Sequence, residues 1–292
     1  MNGTVSIVGA GRVGRTLARR LRELGWRIGA VVTRSPATSR AAVHAIGAGS
    51  PSVRLTHKVL EADVVLLAVP DAAYEAVALA LARLGGKSCG GKIVLHTSGA
   101  LGRSVLVPLA RFGASTGSLH PMQTFIGRAM PKLSGVTFAV EGDRRALRAA
   151  RQISAALGAV PVALKSAEKP AYHAAGVLVA GHALALVEAA TRVLLRLGFS
   201  RRRVREALLP LTRQMLENFE RLGPRASWTG PVARGDYAVV AMHMNALRPY
   251  PREFRQSYAA LARLGARVLS SRPGATIRRL DRSLKTSMRG KR

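Results

Sequence analysis

The sequence predicts an α/β protein: an N-terminal Rossmann doubly wound parallel sheet followed by an all-α C-terminal domain. Three observations predict it. A short apolar run, Val5–Val8, leads directly into the glycine turn Gly9-Ala10-Gly11-Arg12-Val13-Gly14. Apolar runs then alternate with Ala/Leu-rich helical segments to about residue 165, the rhythm of a parallel sheet covered on both faces. Beyond that point only helical periodicity remains. A chain of 292 residues suits about two domains, since single cores rarely grow past roughly 250 residues. The expected division is a dinucleotide-binding domain over 1–165, a helical substrate and dimerisation domain over 166–266, and a basic, disordered tail over 267–292.

In chain order, Val5–Val8 is the first strand. Val13, Leu17, Leu21 and Leu24 then recur at helical spacing, and Gly25 is a stop. Arg27–Val32 is a second strand. Leu66–Val69, inside 63–70, is a fully apolar run such as a strand buried on both faces shows, and Lys92–His96 is another strand. Helices are expected over Tyr74–Leu84 and Ala100–Arg111. A strand at Val136–Val140, a helix at Arg144–Leu157 and a strand at Val160–Leu164 finish the sheet. Helices then follow over Pro170–Leu197, Arg201–Arg221, Asp236–Leu247 and Arg252–Leu269. Ala174–Val187 is almost wholly apolar, yet His173, His182, Glu188 and Arg192 interrupt or flank it, and about 20 uninterrupted residues are needed to span a bilayer. It reads as a buried central helix and the core of a homodimer, with no membrane partner.

With 48% hydrophobic residues the chain can build sizeable cores, which excludes a wholly disordered or collagen-like protein. The single cysteine, Cys89, excludes an internal disulfide, and no Cys/His cluster has zinc-ligand spacing, so no metal is expected. The first residues lack the basic segment and long apolar run of a signal peptide, so the expected address is cytoplasmic. The formal net charge is +31, with 38 of the 46 basic side chains Arg. Scattered among Ala and Leu with few aromatics to stack bases, they read as a GC-rich codon bias on solvated helix faces. The exception is 267–292, with nine basic residues and one acid, Asp281; it is expected to touch nucleic acid only non-specifically.

Gly9, Gly11, Arg12, Val13 and Gly14 form the dinucleotide fingerprint. The first glycine permits a tight turn, the second lets a pyrophosphate approach the backbone, and the third lets helix and strand pack closely. The phosphates then meet the helix N-terminus, where free N–H groups and the helix dipole attract anions. The second strand ends in Thr33-Arg34-Ser35 where an NAD-selective chain carries Asp or Glu. A guanidinium flanked by hydroxyls suits a 2′-phosphate, so the expected cofactor is NADP. Val69-Pro70 and Thr97-Ser98 follow two further strands, at the edge where open parallel sheets hold ligands; Asp71 reads as a helix cap.

Ser118–Phe125 reads as a polar-aromatic loop beside the nicotinamide, with His120 in a catalytic role and Gln123 as a substrate contact. Lys169 and His173 stand four apart on one helix face, able to protonate a carbonyl or imine as hydride arrives, or alternatively to be a capped helix end with a buried His. Arg234, in the turn before a helix capped by Asp236, is free to hold a substrate carboxylate.

Through Gly9–Gly14, His96–Leu101, Gly117–Phe125, Lys169–Ala175 and Gly230–Asp236 the chain resembles bacterial Rossmann-like proteins whose helical half is classified as domain of unknown function 2520. These are similar to pyrroline-5-carboxylate reductase and the 3-hydroxyacid dehydrogenases. The resemblance covers both domains to about residue 265. It implies an NADP-linked oxidoreductase fold with a cleft between domains, and no particular substrate. Lys169 matches the catalytic Lys of the 3-hydroxyacid dehydrogenases in position and type, while His173 replaces their Asn. Gly181 stands where a further Asn is expected. The expected function is hydride transfer between NADP and a small carbonyl or imine compound. The alternative is a non-catalytic NADP-binding sensor.

Overall fold

The computed structural model describes residues 3–127 and 129–289. These fall into two compact units that divide between His182 and Ala183, while the sheet itself ends at Ala163, near its expected end at 165.

The first unit begins β1 (Thr4–Val8), α1 (Arg12–Glu23), β2 (Arg27–Val32), α2 (Pro36–Ile46) and β3 (Ser50–Ser52). It continues through β4 (Val64–Leu67), α3 (Tyr74–Gly85), β5 (Ile93–His96), α4 (Val107–Ala110) and β6 (Ser115–Pro121). It closes with β7 (Thr137–Gly142), α5 (Arg144–Ala156), β8 (Val160–Ala163) and α6 (Lys169–Val177). The eight strands make one sheet in the order β3-β2-β1-β4-β5-β6-β7-β8. Alternate residues of β4 feed opposite cores: Val64 and Leu66 join Ile7, Leu17 and Phe138 on one face, Val65 and Leu67 join Tyr74, Leu81 and Leu106 on the other. That two-sided burial is the double winding the sequence predicts.

Three details differ from expectation. β7 runs antiparallel to β6, with His120 opposite Ala139; a parallel return needs a crossover, and no helix lies between them among the described residues. The same pairing extends β6 through His120 and Pro121, so the expected loop begins only after Pro121. The helix expected at Ala100–Arg111 is instead a 3₁₀ turn, Arg103–Leu106, followed by the single-turn α4, where Gly102 and Pro108 break the run.

The second unit contains α7 (Ala183–Arg196), α8 (Arg201–Ala226), α9 (Pro231–Arg234), α10 (Tyr237–Ala246), α11 (Arg252–Leu269) and α12 (Pro273–Arg289). α8 kinks at Gly223, φ 75°, just before Pro224. Its core is Val240, Met244, Ala259, Ala266, Leu280 and Leu284. The last two correct the expected disordered tail: through residue 289 it is largely helix, because Ile277, Leu280 and Leu284 form an apolar stripe that packs against α10 and α11. Residues 290–292 of that expected tail lie outside the described residues.

The long apolar helix also differs. The helical run Ser166–Arg196 is long and apolar enough to cross a membrane by length and composition, and its apolar window is not buried in the chain. It is broken by a π-helical turn, Leu178–His182, and Val179 and Leu184 are 77% and 69% exposed. The expected buried central helix is therefore not buried within its own chain.

Candidate active site

The glycine turn joins β1 to α1, and its three glycines do different things. Gly9 has φ 89°, and a Cβ there would lie 2.5 Å from the Ala68 carbonyl oxygen and 2.7 Å from Val69 Cγ1. Gly14 lets α1 pack on the strand: a Cβ would meet the Gly9 oxygen at 2.6 Å and Ile7 Cγ2 at 3.2 Å. Around Gly11, a Cβ would find nothing within 4 Å. The middle glycine thus faces open space at the start of α1, where no side chain caps the helix and the first turn carries no acid. Arg12 is exposed at that terminus and Val13 packs against the core. First-turn N–H groups without a side-chain cap, at an uncovered backbone, fit a pyrophosphate.

At the end of β2, Ser35 caps α2, its hydroxyl accepting from the Thr38 N–H at 3.3 Å. Thr38 Oγ1 lies 2.7 Å from Thr33 Oγ1 and 2.9 Å from Ser35 Oγ. Arg34 is exposed and, among the described residues, makes no hydrogen bond or ion pair. Three clustered hydroxyls beside a free guanidinium fit a 2′-phosphate. Thr38 was not among the expected contacts: Ser35 and Pro36 mark the helix start in the sequence, but nothing in the motif singles out Thr38.

The remaining candidates gather where β4, β5 and β6 end. Val69 borders the glycine turn, while Pro70 is exposed and leads into the 3₁₀ turn Asp71–Ala73, where the Asp71 side chain makes no cap. Thr97 Oγ1 stands 3.3 Å from the Tyr74 hydroxyl. Ser98 is buried, and its hydroxyl accepts from Ala100 and Leu101 N–H, folding the chain back on itself. Gln123 is exposed, with Oε1 accepting from its neighbour Thr124 N–H at 2.8 Å.

Lys169 is fully buried. Its Nζ donates to the Ser98 carbonyl at 3.0 Å and to Ser118 Oγ at 2.6 Å. Ser118 in turn donates to Glu141 at 3.4 Å, and that buried carboxylate also accepts from Ser166 Oγ at 2.6 Å and from the Arg103 N–H. Burial lowers the Lys169 ammonium to about 8, with Glu141 and Asp71 opposing the shift. His120 lies beside it, half-buried, with Nδ1 3.2 Å from the Tyr172 hydroxyl and its ring edge-on to His173 at 5.5 Å. Burial, then the neighbouring His173 and Lys169, pull His120 down to about 4. His96, buried beneath, falls to about 3 chiefly through burial, with Lys169 adding to it.

The structure therefore brings Ser98, His120, Lys169 and His173 together, and adds Ser118, Glu141 and Tyr172, which the sequence reading did not single out. Arg234 is a correction. It lies in the second unit, where its Nε pairs with Asp236 at 2.9 Å, so it is not free, and Asp236 makes no side-chain cap.

Residues 2–121 match the family model of a Rossmann-like domain, and residues 136–264 match that of a domain of unknown function, DUF2520. BF3122 from Bacteroides fragilis, assigned as an NADP oxidoreductase, is similar with a TM-score of 0.75 and 20% identity over 90% of this chain and 97% of that one. An imine reductase from Pseudomonas sp. is similar with a TM-score of 0.69 and 20% identity over 99% and 100% of the two chains. A reductive aminase from Aspergillus terreus, solved with NADPH and ethyl-5-oxohexanoate, is similar with a TM-score of 0.65 and 15% identity over 99% and 95%. At these identities the likeness is one of fold. No curated protein matches the sequence.

Proposed function

We propose that this chain, a Rossmann-like domain followed by a DUF2520 domain, is an NADP-dependent oxidoreductase acting on a small carbonyl or imine compound. The observation that carries the reading is the division of labour among the glycines: Gly9 and Gly14 admit no Cβ, while Gly11 opens onto an uncapped helix N-terminus. Gly11, Arg12 and Val13 would hold the pyrophosphate, and Thr33, Arg34, Ser35 and Thr38 the 2′-phosphate. Bound NADPH supplies a hydride. Around it, the chain contributes Thr97 and the Ser98 turn at the sheet edge, and His120 and His173 as the polar groups for a substrate, with Lys169 buried behind them.

The test is titration of the protein with NADPH and NADH, in wild type and Arg34→Ala. NADPH affinity falling tenfold or more in the variant, about 1.4 kcal/mol, with NADH binding unchanged, supports the reading. No binding of either nucleotide overturns it. A second reading, a non-catalytic NADP sensor, is favoured by the complete burial of Lys169, whose ammonium is already engaged by Ser98 and Ser118. Saturable NADPH binding without oxidation over 2-keto acids, ketones and cyclic imines would support it.

A homodimer completes the proposal. Leu184, Leu211, Met215 and Phe219 on α7 and α8 are all more than half exposed, and exposed apolar side chains in number mark interaction surfaces. Glu188, Arg192 and Arg196 share α7 and argue for a second copy over lipid. Light scattering of wild type and Leu211→Glu decides it: a dimer converted to monomer supports the pairing, and a wild-type monomer overturns it.

A further inference from the structure

We propose that His120 is the group that meets the substrate, as a neutral imidazole whose Nε2–H polarises a carbonyl oxygen, with Tyr172 and Lys169 as positioning residues. The inference rests on the oxidoreductase reading above and names its substrate class: a ketone or aldehyde, or the alcohol formed from it, rather than an iminium ion.

The argument starts from which donors remain uncommitted. Lys169, the obvious acid by residue type, is fully buried, and its Nζ is held by the Ser98 carbonyl and by Ser118. Ser118 relays to Glu141, so the ammonium and the carboxylate form a buried pair bridged by one hydroxyl. Such an arrangement fixes β6, β7 and the Ser98 turn relative to α6. It presents no N–H to a ligand.

His120 is placed differently. It sits at the end of β6, half-buried, and only its Nδ1 is engaged, by the Tyr172 hydroxyl at 3.2 Å with the rings edge to face. The Tyr172 hydroxyl has no other side-chain hydrogen-bond partner among the described residues, so its single proton is free to point at Nδ1. Burial holds the phenol above its ordinary value, so that proton is retained. With Nδ1 accepting, a neutral ring carries its own proton on Nε2.

Gly99 lets both rings sit against the backbone, and Nε2 is not among the buried unpartnered atoms of the described residues. A Cβ at residue 99 would lie 2.7 Å from His120 Nε2 and 2.5 Å from His173 Nδ1. No larger residue fits there without displacing both rings. Gly99 follows β5, and β5 and β6 pair in parallel, so Nε2 sits at the carboxyl edge of the sheet, where open α/β sheets hold their ligands.

The protonation state selects the substrate. A neutral Nε2–H is a hydrogen-bond donor, and neutral imidazole is an effective partner for an oxygen gaining negative charge. An iminium presents a positive charge and often an N–H of its own, so it needs an accepting anion. The charged and titratable groups around His120 do not offer one. Glu141 is buried behind Ser118 and saturated by Ser166 and the Arg103 N–H, His96 and His173 are imidazoles, Lys169 is cationic, and Asp71 is exposed to solvent screening.

The test uses ¹⁵N-histidine-labelled protein saturated with NADPH, in wild type, Tyr172→Phe and Lys169→Met, followed by NMR from pH 4 to 9. In wild type the His120 ring is expected neutral at pH 7 with its proton on Nε2. Tyr172→Phe removes a bond made only to the neutral ring, and Lys169→Met removes a nearby positive charge; each moves the His120 titration upward. A wild-type ring protonated on Nδ1, or charged at pH 7, overturns the proposal. Turnover is read in parallel with cyclohexanone and 1-pyrroline as probes. Reduction of the imine with tenfold higher kcat/KM than the ketone also overturns it, and where neither probe turns over the ring measurement decides alone. NADPH binding, monitored separately by fluorescence, isolates failure of the oxidoreductase reading: without it the labelled ring is never in a cofactor complex.

Discussion

Lys169 Nζ and Ser118 Oγ meet at 2.6 Å in a part of the molecule closed to water, with Glu141 on the far side of the serine. A lysine expected to face a substrate is instead one end of a bridged internal ion pair. Burying such a pair costs desolvation that its attraction only partly offsets, and removing one member leaves the other uncompensated.

That cost gives the lysine a pH signature. Its ammonium falls from 10.5 to about 8 on folding, so between those values the unfolded chain binds the extra proton. Folding stability from this group therefore rises with pH across that window, by about 3 kcal/mol in all. Measured by urea unfolding at pH 7.5 and pH 10, wild type gains stability relative to Lys169→Met as pH rises. A difference that does not change with pH contradicts the assignment.

The glycine turn separates folding from binding. Gly9→Ala forces a Cβ to 2.5 Å from a backbone oxygen at φ 89°, and destabilises by about 1–3 kcal/mol or more. Gly11→Ala meets nothing, so its melting temperature stays within a degree or two while NADPH affinity drops about tenfold. Calorimetric melting together with an NADPH titration of both variants distinguishes them.

Thr38 is expected to read the 2′-phosphate with Arg34. Thr38→Val removes the hydroxyl shared by Thr33 and Ser35. NADPH binding is expected to weaken three- to tenfold with NADH unaffected, by side-by-side fluorescence titration. Equal weakening of both nucleotides would place Thr38 in the helix start alone.

Helix α12 is expected to be structural. Leu284 is fully buried, so Leu284→Ala costs about 2–5 kcal/mol and exposes the second unit to proteolysis. Truncation after Leu269 should likewise release it, where a disordered tail would be shed without effect. Limited proteolysis followed by mass spectrometry reads the difference.

The strands and the cofactor turn were legible because their cause is local. A fully apolar run such as Leu66–Val69, found two residues earlier as the strand Val64–Leu67, belongs in the middle of a covered sheet, and the three glycines answer to steric demands within a few residues. The α12 stripe was legible in principle, with Ile277, Leu280 and Leu284 at helical spacing, but nine basic residues hid it in the composition. Arg234 was misjudged because its partner stands only two residues away and is itself a natural cap.

The amino-acid sequence by itself determined the two-part architecture, the order of strand and helix, and the dinucleotide turn, because backbone sterics and hydrophobic periodicity act over short stretches of chain. Tertiary structure alone decided what each polar side chain does. Lys169 and His173 stand four residues apart on one helix, yet one is sealed against Ser98 and Ser118 and the other packs beside His120, from β6. Burial and hydrogen-bond partners set protonation and access, and both come from β5, β6 and β7, brought to α6 only by the fold.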